Sequence, residues 1–399
     1  MAPSPNALNA LRDLKVIDVT TMIAGPTAGR LFAELGADVV HVEPPHGDDG
    51  RNSTTPFLGS EGLIHSVANR NKRGVAIDLR QECGREVLIS LARQADIFIE
   101  NMTTGAADRL GIGYAKLSEA NPGLIYLSIS GWGSAGPLAP LGGYDILIQA
   151  FVGAMRRPGH DLPPMFVPII GDATAPIIGA FVAMAALRER EKTGRGSHVS
   201  TSLLQAALHT LGTTVVEPQN DPTPRAQRPP TVRPGGTGVF QTADNEHIVI
   251  ASWTDEHFRR LCRLADVEHL AQDPELQTRL GRQRAHVELN EVFGAWVASQ
   301  SQADIIRRLQ EERVPCAPVN REPADLLTDP HLLENEMVVT IYHPEKGPIR
   351  QFAPAFEVDG RRPEVSAAPS LGQHTDEVLL EHGYSVEAIE SLRKLGGIR

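Results

Sequence analysis

The sequence predicts an α/β protein with a large, doubly wound, mostly parallel-sheet domain and a smaller α+β domain, joined by long linkers. In the first half of the 399-residue chain, short β-branched runs alternate with segments of helical periodicity, which is the pattern of βαβ units. A proline-rich stretch without apolar periodicity separates this half from a second set of short strands and helices. Hydrophobic residues make up 41% of the chain, which is enough to fill more than one core.

The first half contains the alternating elements. Strands rich in Val, Ile or Leu are predicted at residues 15–20, 38–43, 96–100 and 124–130. Helices are predicted at residues 26–35 and 81–94, where apolar side chains recur on one face, and Gly36 ends the first of them. The longest apolar helical pattern covers residues 172–192. Strands separated by helices in this way favour a mostly parallel sheet.

Composition sets the predicted domain boundaries. The large domain begins with residues 1–216, and residues 217–234, which include six prolines, form a linker. A small α+β domain follows at residues 235–325. Residues 326–399 form a second linker and return to the large domain.

The small domain opens with a predicted hairpin whose turn contains Asp244 and Asn245. Its strands are expected at residues 239–242 and 248–252, and its helices at residues 255–264, 284–299 and 303–312. Residues 344–368 are expected to be irregular. The chain then ends with predicted helices at residues 375–382 and 386–395.

Charge and composition exclude several classes of function. With 38 basic and 49 acidic residues the net charge is -11, which disfavours a nucleic-acid partner. No stretch approaches the roughly 18 apolar residues of a membrane helix, and the N-terminus does not resemble a signal peptide. Cys83, Cys262 and Cys316 are odd in number and far apart, so a reducing, cytoplasmic location is expected. No metal site is predicted, and His46 with Asp48 and Asp49 is expected to form a solvated turn.

One motif resembles a dinucleotide-binding loop but does not fit that function. Gly131, Gly133 and Gly136 have the spacing of the fingerprint and follow a predicted strand. Pro137 comes directly afterwards and prevents a helix from starting where the pyrophosphate would need one. A turn-rich loop is therefore expected. The chain also lacks the glycine-rich GxxxxGK[ST] motif that binds nucleoside triphosphates.

Several short blocks, in order along almost the whole chain, point to one family. They include Ile23-Ala24-Gly25-Pro26, Asn69-Arg70-Asn71-Lys72-Arg73, Glu100-Asn101, Asp108-Arg109-Leu110-Gly111, Gly143-Tyr144-Asp145, Gly171-Asp172 and Thr193-Gly194-Arg195-Gly196. In residue type and spacing these blocks resemble the family III CoA transferases of the CaiB/BaiF type. That family includes formyl-CoA transferase and carnitine CoA-transferase.

The resemblance implies covalent transfer of CoA through Asp172. The carboxylate attacks an acyl-CoA thioester to give a mixed anhydride, the CoA thiolate converts it to an aspartyl-CoA thioester, and a carboxylic acid repeats the exchange. Acyl-CoA and a carboxylic acid are the implied substrates, with no permanently bound cofactor and no metal. An ordinary Asp has a pKa near 3.9 and is an anion at neutral pH. Amides at the start of its helix are expected close by, although Asp172 as a simple helix cap is the alternative.

The resemblance also implies CoA contacts. They comprise Ile77, Asp78, Leu79 and Arg80 around the adenine, together with Asn101, Met102, Thr103, Arg109, Tyr144 and Asp145. Arg109 suits a phosphate, since Arg binds phosphates bidentately, and an ordinary surface charge is the alternative. Ile23 and Ala24 are implied on the substrate side. Gly235, Gly236 and Gly238 resemble a mobile lid, with the end of a linker as the alternative.

Departures from the family pattern bear on substrate and reaction. Ile23 stands where formyl-CoA transferase has a glutamine, so the acceptor side is expected to be less polar. Racemases of the family have a histidine where this chain has Tyr144, which favours transfer over racemisation because tyrosine is a poor base at neutral pH. A non-catalytic subunit is disfavoured by the presence of Asp172. Pro176 is expected in the first turn of its helix. The family also implies an interlocked homodimer.

Overall fold

The computed structural model describes residues 8–52, 57–58, 61–155, 170–212, 233–344 and 346–399. The chain divides into two compact units, and each is described by itself. The first unit is Met1–Val216 with Pro330–Arg399, and the second is Glu217–Asp329. The predicted linker at residues 217–234 lies mostly outside the described residues.

The strands of the first half of the chain include every strand predicted there. They are β1 (Lys15–Asp18), β2 (Asp38–Glu43), β3 (Phe57–Leu58), β4 (Glu61–Gly62), β5 (Arg73–Ala76), β6 (Ile97–Glu100), β7 (Ile125–Ser130) and β8 (Ser197–Ser202). The helices are α1 (Ala24–Glu34), α2 (Asp49–Asn52), α3 (Leu63–Ala68), α4 (Glu82–Ala92), α5 (Ala106–Arg109), α6 (Tyr114–Ala120), α7 (Asp145–Phe151), α8 (Gly171–Thr193) and α9 (Leu203–Leu211).

Six of these strands form one parallel sheet in the order β5-β2-β1-β6-β7-β8. The strand order reverses between β1 and β6, and a crevice opens at the carboxyl ends of the strands at such a reversal. The predicted doubly wound α/β fold is confirmed. Sequence patterns missed the edge strands β5 and β8.

Apolar residues cover both faces of the sheet. Within β6, Ile97 and Ile99 face a core shared with α1 and α8, whereas Phe98 faces a core shared with α4. This alternation follows from the two-residue period of a strand, and burial on both faces explains why the central strands are almost entirely apolar.

The last part of the chain returns to the first unit. It contains α15 (Pro330–Glu334), a hairpin of β12 (Val338–His343) and β13 (Gly347–Phe352), and then α16 (Thr375–Glu381) and α17 (Val386–Lys394). Strands β9 to β11 and helices α10 to α14 belong to the second unit. Val378 and Leu379 of α16 join the core of α4. The prediction of an irregular stretch at residues 344–368 is wrong for β13. Gly347 and Pro348 are unfavourable in the middle of a sheet, but β13 belongs to a two-stranded hairpin, where an edge strand tolerates them.

The second unit is built on a three-stranded antiparallel sheet. Its strands are β9 (Thr237–Gln241), β10 (His247–Ala251) and β11 (Cys316–Pro318). Its helices are α10 (Asp255–Leu264), α11 (Glu268–Gln272), α12 (Arg279–Arg284), α13 (His286–Val297) and α14 (Gln302–Glu311), followed by a 3-10 helix at Pro323–Thr328. Phe240, Ile250, Phe258 and Phe293 fill its core. Among the helices described in either unit, none is long and apolar enough to cross a membrane.

Candidate active site

A cleft lies at the carboxyl ends of β1 and β6, where the order of the sheet reverses. Its cavity of about 180 Å³ is lined by backbone and side chains of the loops that follow these strands, by the loop before α7 and by the start of α8. The site residues implied by the family resemblance that line it are Ile23, Ala24, Asn101, Met102, Thr103, Tyr144 and Asp172. These residues, far apart in sequence, are therefore brought together.

Hydrogen bonds connect the two loops at the reversal point. The Thr21 amide donates to Oδ1 of Asn101 at 2.9 Å, and the Asn101 side-chain amide donates back to the Thr21 carbonyl at 2.8 Å. Between Thr21 and α1, Met22 has a φ of 67°, in the left-handed region that residues other than glycine rarely adopt. Backbone strain of this kind is concentrated at functional sites.

The first turn of α8 carries Asp172 and is anchored by Asp145. Oδ1 of Asp145 accepts the amide hydrogens of Gly171 at 2.6 Å and of Asp172 at 3.2 Å. A Cβ at residue 171 would lie 2.9 Å from that oxygen, so glycine permits the close approach. The predicted amides at the helix start are therefore present, and these two donate to Asp145.

Burial, together with the negative charge of Asp145, raises the pKa of Asp172 to about 7. The expectation of an ordinary carboxylate, fully ionised at neutral pH, is therefore wrong. Sequence reasoning missed this because Asp145 stands 27 residues before Asp172 and contacts it only in the folded chain. When two carboxyl groups lie close together, the negative charge of one opposes ionisation of the other.

Asp145 is itself held by the loop before α7. Gly131 and Gly143 touch so closely that a Cβ on residue 131 would lie 2.6 Å from the Cα of Gly143. The Trp132 indole donates to the Gly142 carbonyl at 3.1 Å, and the side-chain amide of Gln149, one turn into α7, donates to Oδ2 of Asp145. The glycine-rich segment is a loop, as predicted, and Gly131 permits this close crossing. Gln149 was missed, although its spacing of four residues from Asp145 was the available signal.

A second cavity, of about 230 Å³, adjoins the first and shares Thr21 and Met102 with it. Its lining includes Ile77, Asp78, Leu79 and Arg80, the segment directly after β5. Arg80 is exposed and donates from Nη2 to Asp78 at 2.8 Å. This contact lowers the pKa of Asp78. The remaining wall is mostly apolar, with Val19, Val42, Pro44, Met102 and Leu110, and also includes Thr21, Glu43 and His46. A mostly apolar recess suits a flat ring.

Arg109 and the three glycines of the predicted lid lie outside both cavities. Arg109 ends α5 with an exposed side chain and lines neither cavity. Gly235 and Gly236 form a buried turn of the second unit, where added Cβ atoms would meet Leu289 at 2.4 Å and Leu261 at 2.9 Å, and Gly238 lies in β9. Close packing therefore accounts for the first two glycines, and a lid role for this loop stays a prediction.

Two local predictions are wrong. Asp48 is buried rather than solvated, because it accepts the Arg51 amide at 2.8 Å and packs beside Glu43. Burial raises the pKa of Asp48. Pro176 lies in the second turn of α8, not the first, since the helix begins at Gly171. As proline has no amide hydrogen, it cannot make the helical bond to the Asp172 carbonyl.

One buried group has the composition of a metal site. Ligand atoms of His41, Glu43 and His65 lie within 4.8 Å of one another. However, both Glu43 oxygens bind Arg51, at 2.9 and 2.7 Å. The His65 nitrogens contact Asn69 at 3.0 Å and the Pro369 carbonyl at 3.2 Å. Two of the three ligands are already occupied, so we do not assign a metal to them.

Known proteins resemble the chain over almost its full length. A model of CoA-transferase family III matches residues 11–375. A formyl-CoA:oxalate CoA-transferase of Streptomyces coelicolor is 30% identical over 98% of this chain and 99% of its own length. A succinyl-CoA:mesaconate CoA-transferase of Haloarcula hispanica is 35% identical over 94% of this chain and 97% of its own. The crystal structure of a CaiB/BaiF family protein from Brucella suis, 27% identical, has a TM-score of 0.78 and covers 95% of this chain and 99% of its own.

The raised pKa of Asp172 predicts a pH-dependent effect on stability. The folded-state pKa of about 7 exceeds the ordinary value of 3.8, so the stability that the protonated group allows is lost as pH rises from 3.8 through 7. Asp172→Asn, which cannot ionise, should therefore melt at least about 2 °C above wild type at about pH 8, with a smaller gap at about pH 5. Calorimetric melting curves at both pH values measure this.

Asp13→Asn, which removes an exposed carboxylate, is the matched control and should show no such widening of the gap. A gap for Asp172→Asn that is the same at both pH values would contradict the pKa shift.

Proposed function

Because this chain belongs to CoA-transferase family III, we propose that it moves CoA from an acyl-CoA thioester to a free carboxylic acid, with Asp172 as the covalent carrier. The observation that most supports this is the position of Asp172 in a cleft that adjoins the cavity of Ile77 and Arg80. A carboxyl group in one cavity and a mostly apolar recess in the other suit the two ends of an acyl-CoA.

The proposed reaction proceeds in balanced steps. The Asp172 carboxylate attacks the thioester carbonyl, the C–S bond breaks, and CoA leaves as the thiolate with a mixed anhydride remaining on Asp172. The thiolate then attacks the Asp172 carbonyl, which releases the donor acid and gives an aspartyl-CoA thioester. The acceptor carboxylate attacks the carbonyl of this thioester, which expels the CoA thiolate and forms a second mixed anhydride. The thiolate then attacks the acceptor carbonyl of that anhydride, which gives the new acyl-CoA and releases the Asp172 carboxylate. The acyl activation is conserved throughout.

The surroundings of Asp172 suit this role. A carboxyl group with a pKa of about 7 is a stronger nucleophile, once ionised, than an ordinary Asp, since nucleophilicity rises with basicity. Asp145 contributes to the raised pKa and also positions the helix turn. Partial burial limits the competing attack of water on the anhydride and thioester.

CoA is proposed to extend across both cavities. Ile77, Leu79 and the aliphatic part of Arg80 would contact the adenine, and the segment Asn101–Thr103 would flank the pantetheine. Arg109 would bind a phosphate, for which its exposed, charged side chain is chemically suited. Ile23 gives the acceptor side an apolar wall.

We further propose a cytoplasmic homodimer. Apolar side chains of three adjoining helices are exposed on the single chain, among them Phe181 at 74%; the others are Ile146, Leu147, Phe151, Ile177 and Leu208. Exposed apolar surface of this extent is typical of a protein interface. The free thiols of Cys83, Cys262 and Cys316 support a reducing compartment.

A trapping experiment tests the covalent step. With succinyl-CoA and hydroxylamine, wild type should acquire a hydroxamate at Asp172, because hydroxylamine cleaves both the anhydride and the thioester. Without hydroxylamine, intact-mass measurement should detect an added CoA less one water. Asp172→Ala should show neither product and should lose transfer to every acid in a panel of acyl-CoA donors and carboxylic acids.

The control is Asp49→Asn, since Asp49 is another carboxylate of the same cavity and this variant should still form the hydroxamate at Asp172. Transfer at the wild-type rate by Asp172→Ala would refute the proposal.

The pKa of Asp172 sets the expected pH dependence. The single-turnover rate of adduct formation should rise between about pH 6 and about pH 8, as Asp172 ionises around pH 7. Asp145→Asn removes a charge that raises this pKa, while its amide oxygen can still accept the bonds from α8. The rising limb should therefore move to lower pH. An unchanged limb in this variant would exclude Asp145 as the cause.

The homodimer is tested by light scattering coupled to size-exclusion chromatography. The expected mass is twice the 43.2 kDa of the chain. A single-chain mass at micromolar concentration would contradict the homodimer without affecting the proposed chemistry.

A further inference from the structure

The two ends of the turn that leads into the cleft are tied to one buried ion pair. Nζ of Lys72 lies 2.7 Å from Oδ2 of Asp18, and both side chains are fully buried. Oδ1 of the same Asp18 accepts the amide hydrogen of Thr20 at 3.0 Å and also the Thr20 hydroxyl. A second Lys72 hydrogen bond goes to the Pro26 carbonyl at 2.7 Å. One pair of charges thus holds residue 20 and residue 26.

Packing around this pair leaves little freedom. A Cβ on Gly25 would lie 2.3 Å from the Cβ of Thr20, and a Cβ on Gly29 would lie 2.4 Å from Oδ2 of Asp18. Lys72 makes its third hydrogen bond to Oδ1 of Asn69 at 2.7 Å, so all three of its donors have acceptors. Burying a charge in this way is costly unless it is fully paired, and here the pairing fixes the geometry of the chain around it.

Between the two tied ends, Met22 adopts its left-handed conformation. A strained residue persists only where the surroundings determine its conformation. The surroundings here are the Asp18–Lys72 pair on one side and the Thr21–Asn101 hydrogen bonds on the other. Met22, Ile23 and Ala24 all line the cavity that contains Asp172.

We infer that the buried Asp18–Lys72 pair is a positioning device for the transfer reaction: it holds Met22 in the left-handed conformation and so fixes one wall of the cleft that contains Asp172. The inference rests on the proposed function for its catalytic consequence. Its structural half, the constraint on residues 20–26, is independent of that function. A displacement of about 1 Å at such a wall can lower a rate by about a hundredfold.

The test compares Met22→Gly with Met22→Ala, which both remove the side chain. Glycine adopts a positive φ without strain, whereas alanine keeps the strain and the restriction. Met22→Gly should therefore melt about 2–4 °C higher than Met22→Ala. The peptides of Met22→Gly that cover residues 20–26 should nevertheless take up deuterium faster than those of Met22→Ala. The kcat of Met22→Gly for exchange between succinyl-CoA and succinate should be about tenfold lower than that of Met22→Ala. A role in stability alone would make the glycine variant the more active one.

Thr20→Val provides a second variant that keeps the side-chain volume but removes the hydroxyl bound to Asp18. It should raise deuterium uptake in residues 20–26. It should also lower kcat, by a factor larger than the factor by which KM changes. Thr27→Val, the same substitution on the other side of the turn, is the matched control and should do neither. If activity follows melting temperature across these variants, or if deuterium uptake is unchanged in both Met22→Gly and Thr20→Val, the inference is overturned.

The two possible failures are distinguishable. A wild type without any transfer activity contradicts the proposed function, and deuterium uptake and melting still decide whether the pair holds the turn. An active wild type whose variants rank by stability contradicts the positioning role alone.

Discussion

The Asp145 carboxyl group positions Asp172 by accepting hydrogen bonds from the first turn of α8, and its charge adds to the effect of burial in raising the pKa of Asp172. The amides of Gly171 and Asp172 are held by one oxygen atom, so the side chain of Asp172 leaves the helix at a fixed point beside the cleft. The negative charge that anchors the turn also opposes ionisation of Asp172, in addition to burial. A carboxyl group so placed ionises near neutral pH, and when ionised it is a more basic nucleophile than an Asp in water.

The fold explains why a cleft lies at this point. Parallel strands β1 and β6 diverge in their connections, so the loops at their carboxyl ends separate and leave a crevice. Those loops have no regular secondary structure to define their shape. Reciprocal hydrogen bonds between Thr21 and Asn101 and the buried Asp18–Lys72 pair supply that definition. Rigid charged and polar contacts beneath a loop give it one conformation, which apolar packing alone specifies less sharply.

Much of the fold could be predicted from local patterns, and much of the site could not. Apolar runs identified β1, β2, β6 and β7, because central strands are buried on both faces, whereas β8 carries Ser and Thr and has no such signal. The same patterns cannot reveal the left-handed Met22 or the contact between Asp145 and Asp172, which depend on residues distant in sequence. Asp172 and the cleft residues were identified by resemblance to a family. The raised pKa of Asp172 and the hydrogen bonds that position the cleft residues depend on contacts in the folded chain.

The central claim is that the Asp172 carboxyl group is itself the covalent carrier, and the fate of its oxygen atoms tests this most directly. When succinyl-CoA is exchanged with succinate labelled in its carboxyl groups with a heavy oxygen isotope, each turnover through an aspartyl anhydride leaves one acceptor oxygen on Asp172. Mass spectrometry of the peptide that contains Asp172 should then find the label in that side chain, with none in Asp145. Exchange of CoA that proceeds while Asp172 stays unlabelled would contradict the covalent mechanism.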